Sequence, residues 1–187
     1  MKTHSISCII LAGGESKRMN GNDKGLIDFN GQPLIAHVIN ALQNQVDDFV
    51  ISANRNIEHY QQYSSNVIPD DSEKHGPLSG IAAALSACKH EQVLVIPCDM
   101  PYLPNDLVKT LIANFEHSDI AIVEVLQRFQ LVFLMNKSLL TSVQVHLTSG
   151  KHKLMQWVGD CSHTTVDFTS SADAFRNINS AQDLNNL

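Results

Sequence analysis

No apolar stretch of this sequence approaches the roughly 18 residues that a membrane-spanning helix requires. The N-terminal MKTHSISCII has neither a long apolar core nor a small-residue cleavage site, so no secretory signal is expected. A soluble, cytoplasmic protein with no membrane partner is the expectation. Its four cysteines, Cys8, Cys88, Cys98 and Cys161, form no C-x-x-C pair and sit mostly within apolar runs, which predicts reduced, buried thiols. None of the nine histidines forms an H-x-x-x-H pair or joins a cysteine at ligand spacing, which argues against zinc. Positive charge is scarce as well. A formal net charge of −6 disfavours nucleic acid as a partner, because the overall field repels it.

Several sequence signatures are also missing. No G-x-x-x-x-G-K-[ST] occurs and no G-x-G-x-x-G follows a strand, which excludes a Walker ATPase and a dinucleotide-binding dehydrogenase. No G-x-S-x-G elbow marks a serine hydrolase. What remains is a chain of 187 residues, 43% hydrophobic and only 17% charged, long enough to bury one full core.

Short β-rich runs alternate with segments of helical period. ISCIILA, FVISAN, NVIPD and QVLVIP read as strands, and the helices between them include PLIAHVINALQNQ opened by Pro33, a weak NIEHYQQY, and PLSGIAAALSACKH. A helix PNDLVKTLIANFE follows, opened by Pro104, then strands DIAIVEV and QLVFLMN, helical KSLLTSVQVHL and KHKLMQWVGD, strand HTTVDF, and a terminal helix from Ser180. The alternation predicts an α/β fold: three layers, a mostly parallel sheet with helices on both faces, Rossmann-like in architecture. No linker or repeat divides it, so residues 1–187 are expected to form one domain.

In such sheets ligands sit beyond the carboxyl ends of the strands. The polar segments 12–24, 69–77 and 97–101 all follow predicted strands and are expected to meet in one cleft. In the first, LAGG leads into a turn carrying Lys17, Arg18 and Lys24. Glycines there permit close backbone approach to phosphates, and the three cations would neutralise them. Asp99 ends an apolar run in VLVIPCDMPYLP, where a divalent metal on those phosphates needs an oxygen ligand. Its competing role is to cap the helix near Pro104. Asp70 and Asp71 after NVIP are further ligand candidates or turn residues. Gly76 and Pro77 open a helix whose free N–H groups could face a base or phosphate.

LAGG-x-x-x-R-M-x-x-x-D-K strongly resembles the signature of sugar-phosphate and cofactor nucleotidyltransferases. With GQPLIAHV, HGPLSGI, PCDMPYLP and the C-terminal AFRNINSAQDL, the chain resembles the molybdenum cofactor guanylyltransferase family over nearly its whole length. The resemblance implies a nucleotidyltransferase fold and transfer of GMP from magnesium-bound GTP to the terminal phosphate of molybdopterin, with pyrophosphate released. It implies that Leu11, Ala12, Gly13 and Gly14 contact the nucleotide, that Arg18 and Lys24 act on its phosphates, and that Asp70 contacts GTP. Asp99 matches the magnesium ligand, and Gly76 and Leu78 lie in a matched nucleotide-side motif. Ser52 stands where family members often have Asn, with Asn54 nearby. Asn20 replaces a common glycine, with Gly21 beside it, and Gln130-Leu131 replaces a Q-P or H-P pair on the pterin side. Residues 1–118 are expected to bind nucleotide and 119–187 the acceptor, with proteins that deliver molybdopterin or mature molybdoenzymes as partners. A cytidylyltransferase of the same fold and a non-catalytic nucleotide-sensing domain are the alternative readings.

Overall fold

The computed structural model describes residues 5–13, 23–70 and 76–178. Among the described residues, nine strands and six helices follow one another. The first half runs β1 (Ile6–Leu11), β2 (Asp28–Phe29), β3 (Gln32–Pro33), α1 (Leu34–Leu42), β4 (Asp48–Ser52), α2 (Ile57–Tyr60), β5 (Val67–Ile68) and α3 (Pro77–Leu85). The second runs β6 (Gln92–Pro97), α4 (Leu107–Ala113), β7 (Ile120–Val125), β8 (Arg128–Asn136), α5 (Leu140–Thr148), α6 (Leu154–Asp160) and β9 (His163–Asp167). Single-turn 3-10 segments cover Lys24–Leu26 and Lys137–Leu139, and a longer one covers Thr169–Phe175.

Seven strands form one sheet in the order β5-β4-β1-β6-β8-β7-β9. Every neighbouring pair is parallel except the two made by β8. The expected mostly parallel sheet is therefore present, with one antiparallel strand. The strands read as unbroken apolar runs because both faces are covered. Ile6, Cys8 and Ile10 of β1, and Ala12 just after it, join a core with Ile35, Val38 and Leu42 of α1 and Leu107 and Leu111 of α4. Ile9, one residue out of phase, joins Leu78, Ile81 and Leu85 of α3 and Trp157 and Val158 of α6. The period-2 alternation of a strand thus feeds two cores, and each fully buried Ile or Leu contributes about 1.5–3 kcal/mol.

The element ends differ from the sequence expectation in identifiable ways. Pro33 is not the first helical residue of α1 but the last of β3, because Asn30 and Gly31, at φ 52° and 82°, close a tight β2–β3 hairpin ahead of it. An Asn-Gly pair is the residue choice that such a two-residue turn demands. Pro77 does open α3, behind Gly76 at φ 65°, ψ −158°, a conformation open only to glycine. Pro104 does not open α4: the helix begins at Leu107, and the Leu107 N–H donates to the Pro104 carbonyl. The helix expected from Ser180 lies outside the described residues. All four thiols are free, three are buried, and burial raises each of them, Cys88 to about 12.

Helix α3 approaches the sheet closely at Gly80. A Cβ there would stand 2.6 Å from Ser52 Oγ and 3.1 Å from Leu11 Cδ2. Gly80→Ala is expected to destabilise the fold by about 1–3 kcal/mol, the usual cost of overpacking. Ser52→Ala in the same chain should recover part of the loss, because it removes the nearest obstructing atom. Chemical denaturation of the single and double variants measures both effects, and equal stability of all forms would show that α3 moves away at no cost.

Candidate active site

Four parallel strands, β5, β4, β1 and β6, end in register. Leu11 lies opposite Ser52 on one side and Pro97 on the other, and Ser52 lies opposite Ile68. The ladder continues one step: Ala12 N–H donates to the Ser52 carbonyl at 2.8 Å, Cys98 N–H to the Leu11 carbonyl at 3.1 Å, and Ala53 N–H to the Ile68 carbonyl at 3.1 Å. Segments following β1, β4, β5 and β6 therefore share one rim. The expected meeting of the segments around residues 12, 70 and 99 is what the pairing produces. Gly14, Lys17, Arg18, Asn20, Gly21 and Asp71 lie outside the described residues.

Lys24 and Asp99 meet at this rim. The Lys24 ammonium donates to Asp99 Oδ2 in an ion pair between side chains 22% and 8% exposed. The second oxygen of Asp99, Oδ1, is buried without a hydrogen-bond partner among the described residues. Asp99 is not a helix cap, since Asp106 holds the N-cap position of α4 and makes no side-chain cap bond. A buried carboxylate with a free oxygen is costly unless a partner meets it. The geometry suits a hard cation, which takes carboxylate oxygen as a ligand.

On the β4–β5 side, Asn54 and Asp70 form a reciprocal pair. The Asn54 Nδ2–H donates to Asp70 Oδ1, and the Asp70 N–H donates to Asn54 Oδ1 at 2.8 Å. Gly13 faces them: a Cβ there would lie 3.8 Å from Asn54 Nδ2 and 3.9 Å from Asp70 Oδ2. Ser52 itself is 1% exposed, with its hydroxyl toward Gly80 and its carbonyl on Ala12, which leaves Asn54 as the exposed side chain of this strand end. Leu78 is fully buried in the α3 core, so its side chain faces away from solvent, whereas Gly76 is exposed at the helix start. Gln130 is half-buried near the start of β8, and Arg128 and Phe129 beside it are exposed.

Two contacts were not anticipated from sequence. The Ile178 N–H donates to the Asp99 carbonyl at 3.0 Å, and Ile178 packs with Phe29 and Leu34, so the C-terminal AFRNI stretch ends at the rim. Phe29 also carries Tyr102 edge-on, with ring centroids 5.8 Å apart. The second contact concerns Asp23. Its carboxylate accepts from the Tyr60 hydroxyl and, at 3.0 Å, from Asn56 Nδ2. The available signal was the acid directly before Lys24 and the Ile57/Tyr60 spacing, which gives the weak α2 one buried face.

The arrangement is a rim of glycine, amide and carboxylate groups on a parallel sheet, with one lysine–aspartate pair at its centre. The sequence model of the MobA-like NTP transferase domain matches residues 8–165. A molybdenum cofactor guanylyltransferase of Shewanella frigidimarina is 41% identical, the match covering 95% of this chain and 92% of the relative. One of Photobacterium profundum is 39% identical, covering 95% and 93%. Among solved structures, molybdopterin-guanine dinucleotide biosynthesis protein A of Archaeoglobus fulgidus superposes with a TM-score of 0.77 at 20% identity, covering 96% of this chain and 95% of that one, a likeness of fold. A family match across most of the chain, relatives near 40% identity over nearly full length and a rim of this build agree, and the chain belongs to the molybdenum cofactor guanylyltransferase family of nucleotidyltransferases.

Proposed function

We propose that this protein transfers GMP from GTP to the terminal phosphate of molybdopterin, forming molybdopterin guanine dinucleotide and pyrophosphate. The observation that carries the reading is the Lys24–Asp99 pair at the carboxyl rim of the sheet, with Asp99 Oδ1 unpartnered among the described residues. The two charges suit the two parts of a metal–triphosphate: the ammonium takes phosphate oxygens and the carboxylate takes the metal. Among the described residues no group of three or more His, Cys, Asp or Glu could hold a metal by itself. Magnesium does not require such a group, because it is commonly held by one or two carboxylates together with substrate phosphates. Asp99 would hold it, and the ion would supply positive charge that offsets the phosphates.

The reaction is an in-line attack by an acceptor phosphate oxygen on the α-phosphorus, which breaks the bond to the pyrophosphate leaving group. The acceptor phosphate is already ionised near neutral pH, so no general base is required. Both reactants are anions in a chain of net charge −6, and the task of the site is to hold them together. Lys24 and Arg18 supply positive charge to the phosphates. Gly13 and Gly14 let the backbone approach, with Leu11 and Ala12 leading into them. Asn54 and Asp70, with Ser52 behind them, border the nucleoside side, and Gly76 and Leu78 supply the α3 start. The acceptor falls to the 119–187 part, whose C-terminal stretch reaches Asp99 through Ile178. Partner proteins that bring molybdopterin or receive the product would approach this rim.

Incubation with magnesium, molybdopterin and each of the four nucleoside triphosphates should release pyrophosphate fastest with GTP. Release with CTP and none with GTP would make this a cytidylyltransferase, and nucleotide binding without release would make it a sensor domain. Lys24→Ala should lower turnover by about a hundredfold, roughly 3 kcal/mol, as expected for removing one preorganised charge from a transferring phosphoryl group; wild-type turnover in the folded variant would remove Lys24 from the site. Asp99→Asn keeps the size of the side chain but removes the charge. Turnover should fall and the magnesium midpoint should rise, while calorimetric GTP binding is partly preserved. An unchanged midpoint and turnover, with circular dichroism showing a folded chain, would remove the metal from Asp99.

A further inference from the structure

Lys24 reaches Asp99 from a single 3-10 turn, Lys24–Leu26, that belongs to no sheet. A long, rotamer-rich side chain on so short a support holds its geometry only if the backbone beneath it is fixed. The residue that fixes it is the one before. Asp23 occupies the N-cap position of the turn, yet its carboxylate makes no cap bond and instead accepts from Tyr60 and Asn56. Asn56 occupies the N-cap position of α2 and likewise makes no cap bond, giving its amide to Asp23. It also stands at φ 51°, a left-handed conformation that asparagine enters more readily than most residues and glycine more readily still. Two cap bonds, each worth about 1 kcal/mol where they form, are thus forgone at both ends of the same contact.

Tyr60 is the third member. It is fully buried in the core with α1 and α4, so packing on all sides sets where its hydroxyl lies. Burial above all pushes the phenol well above its ordinary value, so it remains a donor throughout the working pH range. The turn is pressed directly onto it: a Cβ at Gly25 would stand 2.5 Å from the Tyr60 hydroxyl oxygen. Only glycine therefore allows the backbone after Lys24 to lie against the phenol. The lysine is flanked on one side by a carboxylate that Tyr60 holds and on the other by a glycine that Tyr60 supports.

We propose that Tyr60, acting through Asp23 and assisted by Asn56, is a positioning residue for the transfer reaction, locking the 23–25 turn so that Lys24 is delivered to the phosphate side of Asp99. This rests on the guanylyltransferase reading for the step it serves, whereas the holding of Lys24 does not. The clamp joins the Asp23–Gly25 turn to the segment after β4, and so links the site's cation to the scaffold that carries Asn54.

Two variants test it. Tyr60→Phe keeps the ring and removes the donor. Asn56→Gly removes the amide while keeping the positive φ, which glycine adopts without strain. The first measurement is the acetylation rate of Lys24 by a water-soluble N-hydroxysuccinimide ester, read by peptide mass spectrometry with no substrate present. It should rise severalfold in both variants. The second is steady-state transfer: kcat should fall about tenfold or more, as small misplacements of a reacting group do, with KM for GTP changed less. Thermal midpoints separate positioning from folding, because Asn56→Gly should melt no lower than the wild type while losing kcat. Wild-type acetylation rates in both variants would overturn the proposal, and so would faster acetylation with unchanged kcat. If the wild-type protein transfers no GMP, the functional reading fails instead, and the acetylation comparison still decides whether the clamp holds Lys24.

Discussion

The register in which β4, β1 and β6 end is the constraint on which the rest of the site depends. Parallel strands cannot place their carboxyl ends anywhere but on one edge, and here Ser52, Leu11 and Pro97 stand abreast with the ladder carried one residue further by Ala12 and Cys98. Gly13, Asn54 and Asp99 then reach the rim within two residues of a fixed strand. Close packing of α3 at Gly80 against Leu11 and Ser52 holds that edge from one side. A slip of one residue in any of the three strands would exchange the two faces and displace the carboxylate.

Charge is the second constraint. A chain of net charge −6 that handles two polyanions cannot rely on its overall field and must concentrate positive charge locally. Lys24 lies outside the sheet, so its position comes from packing rather than from the ladder. The β2–β3 hairpin leads from its turn into α1, the small core of Phe29, Leu34 and Ile178 sits beneath that hairpin, and the Tyr60–Asp23 contact ties the turn to the main core. Ile178 also bonds the Asp99 carbonyl, so one short stretch from the end of the chain touches the supports of both members of the ion pair.

Much of this was legible in the residues. Unbroken apolar runs such as CIIL and VLVI mark strands covered on both faces, and their alternation with helical periods leads to a mostly parallel sheet. Glycines behind the first strand and an aspartate behind the QVLVIP strand identify the rim. The boundaries were less legible where two rules compete. Pro33 reads as a helix opener, but the Asn30-Gly31 turn claims it for a hairpin strand. Pro104 reads the same way, and α4 starts only at Leu107.

The sequence by itself determined the fold class, the loop that carries Lys24 and the strand end that carries Asp99, because local periodicity and turn chemistry act between residues close in the chain. It could not tell that Lys24 and Asp99, 75 positions apart, form one ion pair, or that Asp99 is turned away from the helix it might have capped. Nor could it show that Asp23 and Asn56 both forgo a local cap to meet across 33 positions, with Tyr60 between the core and the turn. Those choices were made by tertiary structure, since a side chain's partner is settled by whichever group is brought within hydrogen-bonding distance, and only the packed sheet and helices bring these together.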